Sequence, residues 1–135
     1  MDIQRINPSG VHKPTGYTHV VKISGGDLLM ISGQVAIDTD GNLVGEGDLA
    51  AQTTQVYENI KAILASFKAD FTSIVKLNTY IVNYKAEDRT ILVDVRNRYI
   101  DPEHPPASTL IGVQALAMPH FMIEVEVMAV IDDKA

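Results

Sequence analysis

Apolar and polar residues alternate in pairs along some stretches of the chain and recur every three or four positions along others. The pattern predicts the order β-β-β-α-β-α-β-β. Strands are expected at residues 3–6, 18–23 and 28–37, then at 73–82, 108–114 and 122–131. Two helices are expected, at 48–68 and 87–100. In the first, Val56, Tyr57, Ile60, Ile63, Leu64 and Phe67 form one apolar stripe, with Asp48 as its N-cap. In the second, Ile91, Leu92, Val95 and Tyr99 do the same, and the run Asp101-Pro102-Glu103-His104-Pro105-Pro106 ends it.

The strands have unequal faces. Leu29, Ile31, Val35 and Ile37 oppose Ser32 and Gln34; Val75, Leu77 and Ile81 oppose Lys76, Asn78 and Tyr80. In the last two strands Thr109, Ile111 and Val113 oppose Ser108, Leu110, Gly112 and Gln114, and Ile123, Val125, Val127, Ala129 and Ile131 oppose Met122, Glu124, Glu126 and Met128. One face should carry both helices. The other mixes polar groups with Met30, Leu110, Met122, Met128 and Val130, too apolar for a solvated face and too polar for a core. Coverage by another copy of the chain accounts for it, which predicts a homo-oligomer.

The length of 135 residues suits a single domain, 1–135. There is no cysteine, which excludes disulfides, thiolate nucleophiles and zinc-thiolate sites. The net charge of −6 argues against nucleic acid, where affinity comes from Lys and Arg on phosphates. No apolar run approaches the ~20 residues of a membrane span, and no charged, apolar leader opens the chain, so no membrane contact and a cytoplasmic location are expected.

Candidate chemistry is sparse. The four histidines, His12, His19, His104 and His120, lack metal-ligand spacing. Asp38-Thr39-Asp40-Gly41-Asn42 resembles the start of a calcium loop, but its glycine is at the fourth position and Leu49 stands at the twelfth, so a hairpin turn is expected. No metal site is assigned. No phosphate-binding glycine loop or nucleophile elbow is present. Glu124 and Glu126 stand two apart on one strand face, flanked by methionines. They read either as a charged, solvated edge or as carboxylates in a partly apolar pocket suited to acid–base work. Ser32 and Ser108 are expected on that same face.

Four blocks then resemble one family: Ile31-Ser32-Gly33-Gln34, Asp48-Leu49-Ala50-Ala51-Gln52, Pro105-Pro106-Ala107-Ser108-Thr109 and Ile123-Glu124-Val125-Glu126-Val127. In order and spacing they resemble the RidA (YjgF-type) reactive-intermediate deaminases across nearly the whole chain. The resemblance implies an α+β, chorismate-mutase-like fold: a mixed sheet with two helices on one face. It implies a homotrimer with a barrel-like core and a small-molecule ligand in each inter-subunit cleft. It also implies hydrolysis of enamines and imines without a cofactor. Carried over by position, Glu124 and Ser32 would be catalytic, and Tyr17, Gly33, Ser108 and Thr109 would bind substrate.

One position departs. The family's carboxylate-binding arginine corresponds to Ser108, and a hydroxyl cannot replace a planar charged fork. Losing such a contact costs on the order of 1.5–3 kcal/mol. Because Arg5, Arg89, Arg96 and Arg98 fall on the N-terminal strand and second helix, no arginine is expected in the cleft. The expectation is therefore a deaminase of imines, enamines or related metabolites without an essential carboxylate. The alternative is a non-catalytic binding or protective protein. Chorismate-mutase chemistry would need cationic clamps for a dianion, and fold alone does not transfer function. RNA cleavage is disfavoured by the charge.

Overall fold

The strand order of the main sheet decides where each candidate residue points. In a computed structural model that describes residues 1–132, the chain runs β1 (Asp2–Ile6), β2 (Val20–Ser24), β3 (Asp27–Gln34), α1 (Leu49–Ala65), β4 (Ile74–Val82), α2 (Asp88–Arg96), β5 (Ala107–Val113) and β6 (Ile123–Ile131), with a short 3-10 turn at Phe71–Ser73. The predicted order of elements is present; residues 133–135 of the expected domain lie outside the described residues. β1 and β2 pair antiparallel as a ribbon of their own, and the other strands form one sheet in the order β3-β6-β4-β5. The sheet is mixed. β4 and β5 run parallel because the connection between them crosses over through α2, whereas β6 is antiparallel to both β3 and β4.

Helix α1 lies on one face. Val56, Tyr57, Ile60 and Leu64 join Leu77, Ile81, Ile123, Val125, Val127 and Ala129 in one core. Each Val, Leu or Ile among them contributes about 1.5–3 kcal/mol when fully buried. Asp48 is the N-cap, its carboxylate accepting from the Ala51 N–H at 3.1 Å. The helix ends at Ala65, three residues before the predicted 68. Lys68 turns left-handed (φ 56°), the Ala69 N–H reaches the Leu64 carbonyl at 3.0 Å, and the Lys68 N–H reaches the Ala65 carbonyl at 2.9 Å. That pair of bonds closes the helix end. It leaves Phe67, expected on the buried stripe, 46% exposed.

Gln52 shows how a buried polar group is tolerated. Its amide nitrogen donates to the carbonyls of Gly45 (3.2 Å) and His120 (2.8 Å), and its oxygen accepts from the Met122 N–H (2.9 Å). The side chain thus ties α1 to the segment entering β6. The turn at Asp38 is a hairpin turn as expected: Asp38 Oδ1 accepts from the N–H groups of Asp40 and Asn42, both at 3.0 Å, and Ile37 bridges Leu43.

Register assigns the faces. On β4 and β6, Leu77 opposes Val127, Thr79 opposes Val125 and Ile81 opposes Ile123, all toward the helices. Asn78 opposes Glu126 and Tyr80 opposes Glu124 on the open face. On β5 the sequence reading is inverted. Ser108 pairs with Leu77, Leu110 with Thr79 and Gly112 with Ile81, so these three face the helices, and Thr109 and Ile111 lie on the open side. Both alternating sets of β5 contain large apolar residues, so periodicity could not choose between them; pairing with β4 does.

Candidate functional site

Within one chain the candidate residues form two groups on opposite faces of the sheet. The open-face group begins with a bulge. Ile31 pairs with Val127 but Gln34 pairs with Val125, so Ser32 and Gly33 together oppose Glu126. The slip also moves Gln34 out of the face it was expected to share with Ser32. At the bulge the strand admits Glu124: a Cβ on residue 33 would stand 2.0 Å from Glu124 Oε2. Gly33 is thus required by close approach. Glu124 has no hydrogen bond or ion pair among the described residues, so its carboxylate is available.

Glu126 is committed. Its Oε1 accepts from Asn78 Nδ2 at 3.0 Å and from the Tyr80 hydroxyl at 2.5 Å. The tyrosine bond first, and then the asparagine bond, hold its carboxyl below the usual carboxylate range. The same bond raises the Tyr80 hydroxyl above 10.0. Nearby, Lys76 Nζ donates to Thr109 Oγ1 at 2.9 Å. Asn78, Tyr80 and Lys76 were seen in the sequence only as one strand's polar face. Their link to Glu126 and Thr109 crosses strands distant in the chain, so no local signal carries it.

The second group faces the helices. Ser108 was expected beside Glu124; pairing with Leu77 puts it on the other side of the sheet, in a groove between α2 and β5. Arg89, Val93 and Arg96 of α2 line this groove with Ser108 and Leu110. Two arginines of α2 therefore stand beside Ser108, where the sequence reading placed none. Residues 89 and 96 are seven apart, two helical turns, and so lie on one side of α2. Tyr57 also lines the groove; burial pushes its hydroxyl up to about 12, an effect the nearby Arg96 charge opposes.

Tyr17 belongs with this second group. The neighbouring Thr18 is buried, donating its hydroxyl to the Pro105 carbonyl (2.6 Å) and its N–H to the Pro106 carbonyl (3.1 Å). Two residues before it, Gly16 rests against the Arg96 guanidinium. Tyr17 is further oriented by His12, with 2.7 Å between its hydroxyl and His12 Nε2. His12, Tyr17 and His104 line a concavity of about 610 Å³ over the N-terminal loop. Glu103 lines it as well, but Glu124 does not, so size does not make it the centre of the chemistry. Among the described residues no three or more His, Asp or Glu side chains are placed to hold a metal ion.

One chain therefore gathers Ser32, Gly33 and Glu124 on the open face. It gathers Ser108 and the Tyr17 loop on the helix side, and leaves Thr109 with Lys76 across the β5 edge. Of the apolar residues expected on the open face, Met30 and Met128 are exposed by 68% and 37%, whereas Val130 is buried and Leu110 faces the helices; Leu28, exposed by 56%, adds to the patch. Among the described residues no helix is long and apolar enough to cross a membrane.

Comparisons with known proteins agree with this architecture. Residues 10–131 match the family described as Endoribonuclease L-PSP. A RutC family protein from Pyrococcus abyssi is 32% identical over 118 residues, covering 87% of this chain and 88% of that protein. Among solved structures, YyfB of the conserved Rid protein family from Yersinia pestis superposes with a TM-score of 0.89 at 38% identity, covering 97% of this chain and 100% of that one. RidA from the Antarctic bacterium Psychrobacter sp. PAMC 21119 superposes with a TM-score of 0.69 at 29% identity, covering 95% and 99%.

Proposed function

Since the chain belongs to the Endoribonuclease L-PSP family, which takes in the Rid and YjgF-type proteins, we propose that it is a cytoplasmic homotrimer that hydrolyses imines, enamines or related reactive metabolites in clefts between its subunits. The observation that carries this reading is the close approach of an uncommitted Glu124 carboxylate to Gly33. A carboxylate without an internal partner, held at a strand bulge beside a locked Glu126, is placed to handle a water molecule.

Glu124 takes a proton from water as the oxygen bonds to the imine carbon and the carbon–nitrogen π pair moves onto nitrogen, and Glu124 then returns that proton to the nitrogen. From the resulting carbinolamine Glu124 moves the hydroxyl proton to the nitrogen as the carbon–nitrogen bond breaks, which releases ammonia, leaves a carbonyl and restores the carboxylate. Ser32 and backbone donors beside Gly33 hold the substrate from one subunit. Ser108 and Tyr17, pinned together through Thr18 and the Pro105-Pro106 segment, close the cleft from the next. Thr109, fixed by Lys76, lies at the strand edge between the two groups. Separation of these groups by the sheet of a single chain is what calls for a second subunit.

A second reading, binding or protection without turnover, draws on Ser108 standing where the family's strand arginine is expected. RNA cleavage, which the family description names, suits this chain less: its net charge is −6 and the open face carries Glu124 and Glu126. Ammonia release from imines generated in situ by an amine oxidase or an amino-acid oxidase separates the readings. Wild type should accelerate release, and Glu124→Gln should fall to the uncatalysed rate. Equal rates in both proteins would remove Glu124 from the mechanism, and no acceleration by wild type would favour binding alone.

A further inference from the structure

The loop that carries Tyr17 closes on itself through two histidines. His19 Nε2 lies 2.8 Å from the His12 carbonyl, and since a carbonyl only accepts, that nitrogen carries a proton. The His19 backbone N–H is tied in turn to Asn7 Oδ1 at 2.8 Å. The rings of His12, Tyr17 and His19 meet edge to face, with centroids 4.9, 5.3 and 6.4 Å apart. His12 is exposed, yet its carbonyl and its ring are both held, and its Nε2 stands 2.7 Å from the Tyr17 hydroxyl.

A phenol has one proton to give and lone pairs with which to accept. Neutral His12, with its proton on Nδ1, accepts at Nε2. Tyr17 then points its proton at His12 and turns only lone pairs to the cleft. Protonated His12 donates at Nε2, the Tyr17 oxygen accepts, and the hydroxyl proton is free to turn to the cleft. One proton on the imidazole therefore reverses what Tyr17 offers a ligand. His19 takes no part in the reversal, because its ring keeps a proton on Nε2 in both charge states. The other charged and titratable groups around the same concavity are Arg5 of β1, Lys13 of the loop itself, and Glu103 and His104 of the segment before β5, the last paired with Asp101 at 3.0 Å.

We propose that His12 is a positioning residue for Tyr17 and sets the donor–acceptor sense of the hydroxyl that closes the cleft. Neutral His12 makes Tyr17 an acceptor for an N–H group, such as that of an imine, enamine or amine. Protonated His12 makes it a donor for a carbonyl oxygen, the group that hydrolysis leaves behind. This role rests on the reading above that Tyr17 closes the cleft over a small metabolite, and it adds the residue that decides which hydrogen-bonding partner is preferred there.

The test is NMR of the intact assembly with 15N-labelled histidine. Without ligand, Tyr17→Phe should move the His12 Nε2 resonance, and an unmoved resonance overturns the proposal. Two probes of similar shape then read the cleft: isopropylammonium, which only donates, and acetone, which only accepts. Neither changes its protonation between about pH 5 and pH 8, the range in which histidine changes charge. The ratio of isopropylammonium to acetone affinity in wild type should fall by roughly 2- to 10-fold as pH drops through that range, the scale of one hydrogen bond. His12→Gln, whose amide bonds the hydroxyl but does not titrate, should keep both probes bound and flatten the ratio. Tyr17→Phe should flatten it too. A fall that persists in Tyr17→Phe is a plain charge effect and overturns the proposal, as does a flat ratio in wild type or binding of neither probe. A ratio that depends on His12 and Tyr17 without imine turnover would leave this role standing and remove the hydrolase. Imine turnover with a ratio indifferent to His12 would do the reverse.

Discussion

Tyr80 reaches diagonally across the β4–β6 pair to donate its hydroxyl to Glu126, although its direct partner in the register is Glu124. Diagonal neighbours on one sheet face are within reach of a long side chain. The bond holds one of two adjacent glutamates and leaves the other free. Its pH dependence has a definite sign. The Glu126 carboxyl sits below its ordinary 4.5, so the stability it contributes is present above about that pH and is lost as pH falls through the depressed folded value. Tyr80, raised above 10.0, contributes below that value and loses its part as pH rises through the folded one. Tyr80→Phe should therefore lower stability at neutral pH, with the difference from wild type shrinking toward acid. Denaturant melts across the pH range check it; a difference independent of pH would show that the bond does not perturb Glu126.

Gly33→Ala puts a methyl group where the Glu124 carboxylate lies. The carboxylate must swing away or the bulge must open. Overpacking of this kind costs about 1–3 kcal/mol, and a displacement near 1 Å costs on the order of 100-fold in rate. The variant should remain folded by circular dichroism and lose imine hydrolysis. Full activity would mean that Glu124 need not stay where the glycine admits it.

Gln52→Leu removes three hydrogen bonds from a fully buried position and leaves the Gly45 and His120 carbonyls and the Met122 N–H without this partner. Each buried group left unpaired costs about 1–3 kcal/mol. A loss of about 3 kcal/mol or more is expected in chemical denaturation. A loss below about 1 kcal/mol would mean that water takes over the amide's role.

Met30→Glu with Met128→Glu places paired charges on the open sheet face, at opposed positions of β3 and β6. Both side chains are exposed in the single chain, so folding should survive. Assembly should not, because burying unpaired carboxylates at an interface is costly. Light scattering should show the trimer mass for wild type and the single-chain mass for the variant. An unchanged mass would place the contact between copies elsewhere.

Element identity and order were readable in the sequence because each depends on local pattern: the three-and-four spacing of Val56, Tyr57, Ile60 and Leu64, the cap at Asp48, and the alternation through β4 and β6. The four family blocks likewise marked Ser32, Gly33, Ser108 and Glu124 as residues to watch. Tertiary structure alone decided which face each one occupies. A slip of one residue reverses a strand, and in β5 both alternatives were similarly apolar, so only parallel pairing with β4 turned Ser108 toward α2 and Thr109 away. It also decided which glutamate is committed and which is free, since Tyr80 and Glu126 are 46 residues apart. The arginines of α2 reached a groove for the same reason. Charge type is written in the chain, but the neighbours of a charge depend on pairings between distant segments.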